Sequence, residues 1–351
     1  MNLFSNLLKL LKDRRFWVGI LPPFLLGALA WWVGSLFPVI GAPVVGIILG
    51  LFVGQLFGQR ESWSTGVKFC AKKVLQTSIV LLGAGMSLGQ VVDIGGQGLP
   101  VLIGTLVVAI GVGIPLSKKL KIEQETGLLV TYGTSICGAS AIATMSQVMG
   151  AAPTAVAVSI AVIVLYNVLA ALIFPFLGQA LGMGFADFGL WAGTAVNDTS
   201  SVVAAATSFD TQMLASGAVI VGMSATAYAV VVKLTRTLAI IPLAIFEQWR
   251  QNRQPKPNAT PKKWYQLIPV FLVLFLVAAG VRSLGIIPST WDEPIRFLAH
   301  FGTTVAMVAV GMTSSFAAIK RAGWRPLALG GILWLLISLT SLAIQYAIAQ
   351  I

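Results

Sequence analysis

The stretch from Thr126 to Met149, TGLLVTYGTSICGASAIATMSQVM, decides how this chain is read. It has the length of one membrane crossing, about 20 residues of helix, and it carries no charge. Yet its middle is built from Gly133, Thr134, Ser135, Cys137, Gly138 and Ser140, where hydropathy alone would place leucine. Glycine weakens a helix interior, and hydroxyl side chains satisfy backbone groups that a break sets free. One reading is a helix interrupted inside a membrane. Its half-helix ends would offer N–H groups to an anion or carbonyls to a cation. The other reading is a close helix–helix contact, which the same small residues allow.

Working outward, the rest of the chain asks for lipid as its solvent. Of 351 residues, 57% are hydrophobic and 10% charged, against roughly 25% charged in soluble domains. The apolar runs suit helices; barrel strands would be about 10 residues long and alternating. The expected class is an all-α polytopic membrane protein with about eleven transmembrane helices. Spans are read at roughly 16–36, 39–57, 74–92, 99–117, 126–149, 153–177, 188–208, 213–246, 266–284, 297–316 and 327–349.

The net charge of +12 suggests nucleic acid until the charges are placed. Nineteen of the 23 basic residues fall on one side of this span pattern: Lys9 to Arg15, Arg60 to Lys73, Lys118 to Lys121, Arg250 to Lys263 and Lys320 to Arg325. Only Arg282 and Arg296 fall on the other. Basic residues favour the cytoplasmic side, so the amino terminus is expected inside the cell membrane and the carboxyl terminus outside. Topology accounts for the charge, and no nucleic-acid partner is called for. Residues 1–15 read as a cytoplasmic amphipathic segment and 16–351 as one transporter domain. Residues 250–263, with Pro255, Pro257 and Pro261, read as a cytoplasmic linker between its halves.

Two cysteines and one histidine leave no disulfide framework, zinc spacing or serine–histidine–aspartate triad. No HExxH or P-loop pattern is present, so the expectation is no enzyme, no metal centre and no cofactor.

A second polar cluster lies at Asn197, Asp198, Thr199 and Ser200. Asp198 is the one carboxylate placed deep within an expected span. A buried acid in lipid is costly and is a functional candidate by default, as a proton carrier or as a sodium ligand with its neighbours' oxygens. A structural ion pair with Lys233 or Arg236 is the alternative. Those two cations are three positions apart and share a helix face. If the eighth span covers 213–232 they snorkel at the surface; if it covers 222–246 they face the interior, where they balance Asp198 or hold an anion.

Two internal echoes point to repeats. Gly85-Met86-Ser87 is echoed by Gly311-Met312-Thr313, and the same offset relates Pro100 to Pro326 and Gly104 to Gly330. Their spans are an odd number apart, which implies inverted copies, a common transporter plan. A second echo, at an offset of 60 residues, relates Gly133-Thr134 to Gly193-Thr194, and Gly302-Thr303-Thr304 offers a third, shorter one; the sequence leaves open which of these are structural equivalents.

The residues GTSICGASAI at 133–142, NDTSSVVAA at 197–205, VKLTR at 232–236, and Gly311-Met312-Thr313 followed by Gly323-Trp324-Arg325-Pro326 resemble the YeiH-like family. The resemblance covers essentially the whole chain, and members are described as sulfate exporters. Many are expected to carry His-Asp where this chain has Asn197-Asp198, which puts histidine-dependent coupling in doubt. The family is grouped with cation/proton antiporters and anion transporters. The resemblance therefore implies an NhaA-like or bile-acid-symporter-like fold: a panel of helices, a core of crossing interrupted helices, and alternating access.

The expectation that follows is a secondary active transporter of a small anion, sulfate or a sulfonate, driven by a sodium or proton gradient. Gly133, Thr134, Ser135, Cys137, Gly138, Ser140, Thr303 and Thr304 would meet the substrate. Asn197, Asp198, Thr199 and Ser200 would couple the ion, and Lys233 and Arg236 would balance charge. Partners would be the anion and membrane lipid, with a homodimer left open. The rivals are a cation/proton antiporter using Asp198, and an uncoupled channel or regulatory membrane protein.

Overall fold

The computed structural model describes residues 14–38, 40–57, 60–220, 222–252 and 264–350, and among these it is helical with no strand. Almost all of the expected 1–15 segment and of the 250–263 linker lies outside the described residues. In chain order the helices are α1 (Arg14–Leu36), α2 (Ala42–Phe57), α3 (Glu61–Phe69), α4 (Leu75–Ala84), α5 (Leu88–Lys119), α6 (Gln124–Ser135), α7 (Ala139–Met149), α8 (Pro153–Ala180), α9 (Phe185–Ala195), α10 (Thr199–Ala215), α11 (Ala225–Thr237), α12 (Ile240–Asn252), α13 (Val270–Ser283), α14 (Asp292–Thr313), α15 (Phe316–Ala322) and α16 (Trp324–Ala349). A π-helical turn, Cys70–Val74, joins α3 to α4.

Among the described residues, six helical stretches are long and apolar enough to cross a membrane: α1, α5, α8, α11 with α12, α14, and α16. Their outward faces carry exposed Leu, Ile, Val, Phe and Trp, among them Leu25, Trp32, Val107 and Leu339. Such faces suit lipid and not water.

A panel forms from α1, α2, α3–α4 and α14. Its tightest seam is a glycine ridge. Gly46, Gly50 and Gly54 follow one another at helical-turn spacing on α2 and rest on the backbone of α14 at Thr304, Val308 and Met312. A Cβ on Gly54 would stand 2.7 Å from the Met312 carbonyl oxygen, so only a small residue permits this approach.

The segments expected as spans 126–149 and 188–208 do not cross. Each folds back. In the first, α6 ends at Ser135 and α7 begins at Ala139. The Glu125 carboxylate at the start of α6 accepts the Ala152 N–H beyond the end of α7 at 2.7 Å. At a helical rise of about 1.5 Å per residue, two half-helices running straight on would hold those groups roughly 40 Å apart. In the second, Phe188 of α9 stacks on Phe209 of α10 at 3.9 Å. Asp210 near the end of α10 accepts the Ala225 and Thr226 N–H groups at the start of α11. Gly189 of α9 packs on Ala225 and Tyr228, so α9, α10 and α11 share one end.

Helices α6, α7 and α9, of 11 or 12 residues, are about 16–18 Å long, half a hydrocarbon core of about 30 Å; the 17-residue α10 covers a similar distance from Thr199 to Asp210, where it meets the start of α11, and continues beyond. The two hairpins therefore reach mid-depth. They enter from opposite ends, because α8 runs from Ala152 at the base of the first to Gly178 beside Phe188 and Phe209 of the second. The first hairpin enters at the end where Lys118, Lys119 and Arg250 sit, the second at the end of Arg282 and Arg296. The eleven-crossing reading is thus corrected: two crossings become re-entrant hairpins. The eighth stretch is corrected too, since α10 stops at Ala215 and a separate α11 starts at Ala225.

This arrangement is testable by labelling. Cysteines placed at Lys119 and Ala151 should react from the same side, and one at Leu181 from the opposite side. An uninterrupted 126–149 crossing would instead put 119 and 151 on opposite sides.

Candidate functional site

The hairpin tips meet. Gly138 takes φ +65°, ψ −130°, which suits only glycine, and its N–H closes the turn onto the Gly133 carbonyl at 2.8 Å. A Cβ on Gly138 would lie 3.1 Å from Cβ of Asp198. The second tip needs no glycine, because Val196 and Asp198 are extended. Cys137 is buried in the first tip.

A helix that stops inside a membrane leaves carbonyls without partners at its carboxyl end and N–H groups without partners at its amino end. The carbonyls are satisfied by α11. Lys233 Nζ donates to the Val196 carbonyl at 2.5 Å and the Ile136 carbonyl at 3.4 Å. Arg236 Nε donates to the Ser135 carbonyl at 2.8 Å, Nη2 to Thr134 at 3.2 Å, and Nη1 to Thr194. Both side chains are fully buried. Positions equivalent under the Gly-Thr echo, Thr134 with Thr194 and Ile136 with Val196, thus meet the same two cations. The spacing of Lys233 and Arg236 puts both on one face of α11, at the ends of α6 and α9, where the helix dipoles favour positive charge.

The N–H groups are not satisfied in this way. Among the described residues, no backbone partner is found for the N–H groups of Ala139, Ser140 and Ala141 in α7, or of Thr199, Ser200 and Ser201 in α10. Asp198 stands at this pole. Its Oδ2 accepts from Ser200 Oγ at 2.7 Å. Its own N–H donates to Asn167 Oδ1 of α8 at 3.0 Å. Asn197 beside it is 1% exposed, and neither its amide nitrogen nor its oxygen has a partner; the same is true of the Ser201 hydroxyl. Among the described residues, no salt bridge joins Asp198 to Lys233 or Arg236.

The structure places the other expected residues less evenly. Thr134 and Ser135 turn their hydroxyls to the Val130 and Thr131 carbonyls of their own helix, so only their backbone carbonyls enter the site. Gly133 packs against Ile142 and Ile163. Ser140 is exposed and Thr199 buried at the amino ends of α7 and α10. Thr303 and Thr304 belong to the panel: their hydroxyls bond Ala299 and His300 of α14, and no hydrogen bond among the described residues brings them to the tips.

Four residues were not foreseen. Asn167 orients the second tip. Glu125 and Asp210 clamp the two hairpin bases to the starts of α8 and α11. Glu247 of α12, 1% exposed, accepts from Tyr132 of α6 and pairs with Arg250 at 2.8 Å. Asp198 is therefore not the only deep carboxylate. Asp210 lies between expected spans and Glu247 just beyond one, so the span pattern does not single them out.

The family described as Conserved hypothetical protein 698 matches residues 18–330. A UPF0324 membrane protein of Streptococcus pyogenes serotype M18 is 39% identical over 336 residues, covering 94% of this chain and 96% of its own. The chain belongs to the UPF0324 family of membrane proteins. UPF0324 membrane proteins of Streptococcus pneumoniae R6, 38% identical over 331 residues, and of Fusobacterium nucleatum, 37% over 348 residues, match 93% of the chain and 96% of themselves. The UPF0324 assignment agrees with the YeiH-like resemblance and makes the chain an integral membrane protein.

In this UPF0324 protein, removing a cation orphans buried carbonyls, at about 1–3 kcal/mol each. Arg236→Met frees three and Lys233→Met two. Both should lower the thermal unfolding midpoint in detergent, Arg236→Met more. Midpoints equal to wild type would show that the carbonyl ends are satisfied otherwise.

Proposed function

We propose that this protein is a secondary active transporter of a small anion, sulfate or a sulfonate, whose binding site is the N–H pole at the hairpin tips. One observation carries the reading. The carbonyls at the tips, which suit a cation, are already engaged, and most of the N–H groups, which suit an anion, are not. Two helix amino termini supply about half a positive charge each, and the unpartnered Asn197 amide lies beside them. Anion binding at helix amino termini needs no further device. The antiporter alternative is disfavoured because Lys233 and Arg236 hold the carbonyls a metal cation would need. The chemistry proposed for the tips is binding and release.

The hairpins share the Gly-Thr echo and are inserted from opposite ends, which supports an inverted repeat. The two Gly-Met motifs support a second, since each closes a helix, α4 or α14, at opposite ends of the protein. The basic end faces the cytoplasm on the charge rule. This topology of hairpins replaces the crossing of interrupted helices that the NhaA-like and bile-acid-symporter-like resemblance implies.

The two hairpins are covered unequally. α10 packs against α2 and α14, with Ala204, Ile47 and Met307 in one cluster, and Ser200, Val203 and Thr207 are buried. The matching residues of α7, Ser140, Ala143 and Gln147, are exposed, and α7 shows no exposed large apolar side chain. A face that polar borders water. We read this as the state open to the cytoplasm.

Two outcomes test the reading. Gly138→Leu should insert normally yet lose protection by sulfate against thermal unfolding, because a side chain there is strained and meets Asp198; unchanged protection would remove the tips from the site. Ala143→Cys should react with a water-soluble thiol reagent from the cytoplasmic side while Val203→Cys does not, and the pattern should reverse when the opposite state is trapped. Equal reactivity of both at all times would favour a channel.

A further inference from the structure

This inference rests on the anion reading above and deepens it. Asp198 occupies the pole that the substrate needs. It stands at the amino end of α10, and its Cα and Cβ touch Gly138 at the amino end of α7. An ionised Asp198 is the resident anion of both half-helices, and a substrate anion brought beside it meets like charge in a site of low dielectric. A metal cation would find only side-chain oxygens there, those of Asp198, Asn197 and Ser201. The Thr134, Ser135, Ile136, Thr194 and Val196 carbonyls bond Arg236 and Lys233, and sodium would approach two fixed cations and the N–H ends of two helices.

We propose that the coupling ion is a proton carried by Asp198, and that anion and proton bind together because protonation of this one carboxylate vacates the shared N–H pole. The proton comes from water, adds to a carboxylate oxygen to give the neutral acid, and leaves with the anion at the far side. No covalent bond to the substrate forms. The charges agree with this. Lys233 and Arg236 against an ionised Asp198 leave one net positive charge at the tips; a neutral Asp198 leaves two, which match a dianion.

Few other ionisable groups face Asp198. Lys233 and Arg236 come from α11 and Cys137 from the first tip, with Lys233 and Cys137 in electrostatic reach of the carboxylate. α8 contributes the neutral amide of Asn167. Asp187 of α9 acts on Tyr228, and His300 of α14 lies beside Arg296.

The test uses full-length protein and sulfate as the probe, with affinity measured from acid to alkaline pH in sodium or choline buffers. One linked proton raises affinity about tenfold for each unit that pH falls while Asp198 is ionised in the free protein. The expected result is that slope, equal in sodium and choline, and flat binding in Asp198→Asn. Should that variant not fold, proton uptake by the wild-type protein on adding sulfate, read in weak buffer with a pH dye, should approach one per anion bound. Affinity that requires sodium, a slope that survives in Asp198→Asn, or no proton uptake would overturn the proton assignment while leaving the anion site standing. No response to sulfate at any pH in either buffer would overturn the anion reading, and this inference with it.

Discussion

Lys233 and Arg236 hold the carboxyl ends of two half-helices that stop in the middle of the protein, and the rest of the structure depends on that contact. Without it, five backbone carbonyls would be stranded where neither water nor a continuing helix could reach them. With it, the chain tolerates two interruptions. The cost is two fully buried cations, offset because each is wholly engaged by hydrogen bonds and lies at the negative ends of α6 and α9.

That contact also separates the tips into two unlike poles. On one side the two cations engage the stranded carbonyls. On the other, half-helix N–H groups, Asn197 and Asp198 remain, with Gly138 letting the two backbones touch. The hairpins that carry these poles are anchored at their bases by Glu125 and Asp210, each accepting N–H groups at the start of the next long helix. Each tip is held through its base and through α11, and the panel packs on α10 through α2 and α14. The present arrangement covers α10 and leaves α7 open.

Much of this was legible in the sequence. Composition required lipid, and the cluster around Gly138 pointed to a break, with a close helix–helix contact as the other reading of the same small residues. Asp198 stood out as a lone acid among polar neighbours. The fold-back did not show. An apolar run such as 126–149 has the same length whether it crosses once or enters and returns as two half-helices. Basic residues normally decide between these, but none lies between Lys121 and Lys233, the region that holds both hairpins. Because both hairpins replace crossings, the two errors cancel, and the sides assigned to every basic cluster are unchanged. Thr303 and Thr304 were drawn in by a short motif that serves the seam between α2 and α14, and their hydroxyls turn back on their own helix. Asn167 had no signal at all, as one amide within a 28-residue apolar helix.

The anion is proposed to bind at the N–H pole and not at the one formed by the buried cations. Locating selenate, a heavy analogue of sulfate, by its anomalous scattering in crystals of the full chain tests this most directly. The expected peak lies at the amino ends of α7 and α10, within hydrogen-bond reach of the Asn197 amide. A peak beside Lys233 and Arg236 on the carbonyl side, or one only within the panel, would contradict it.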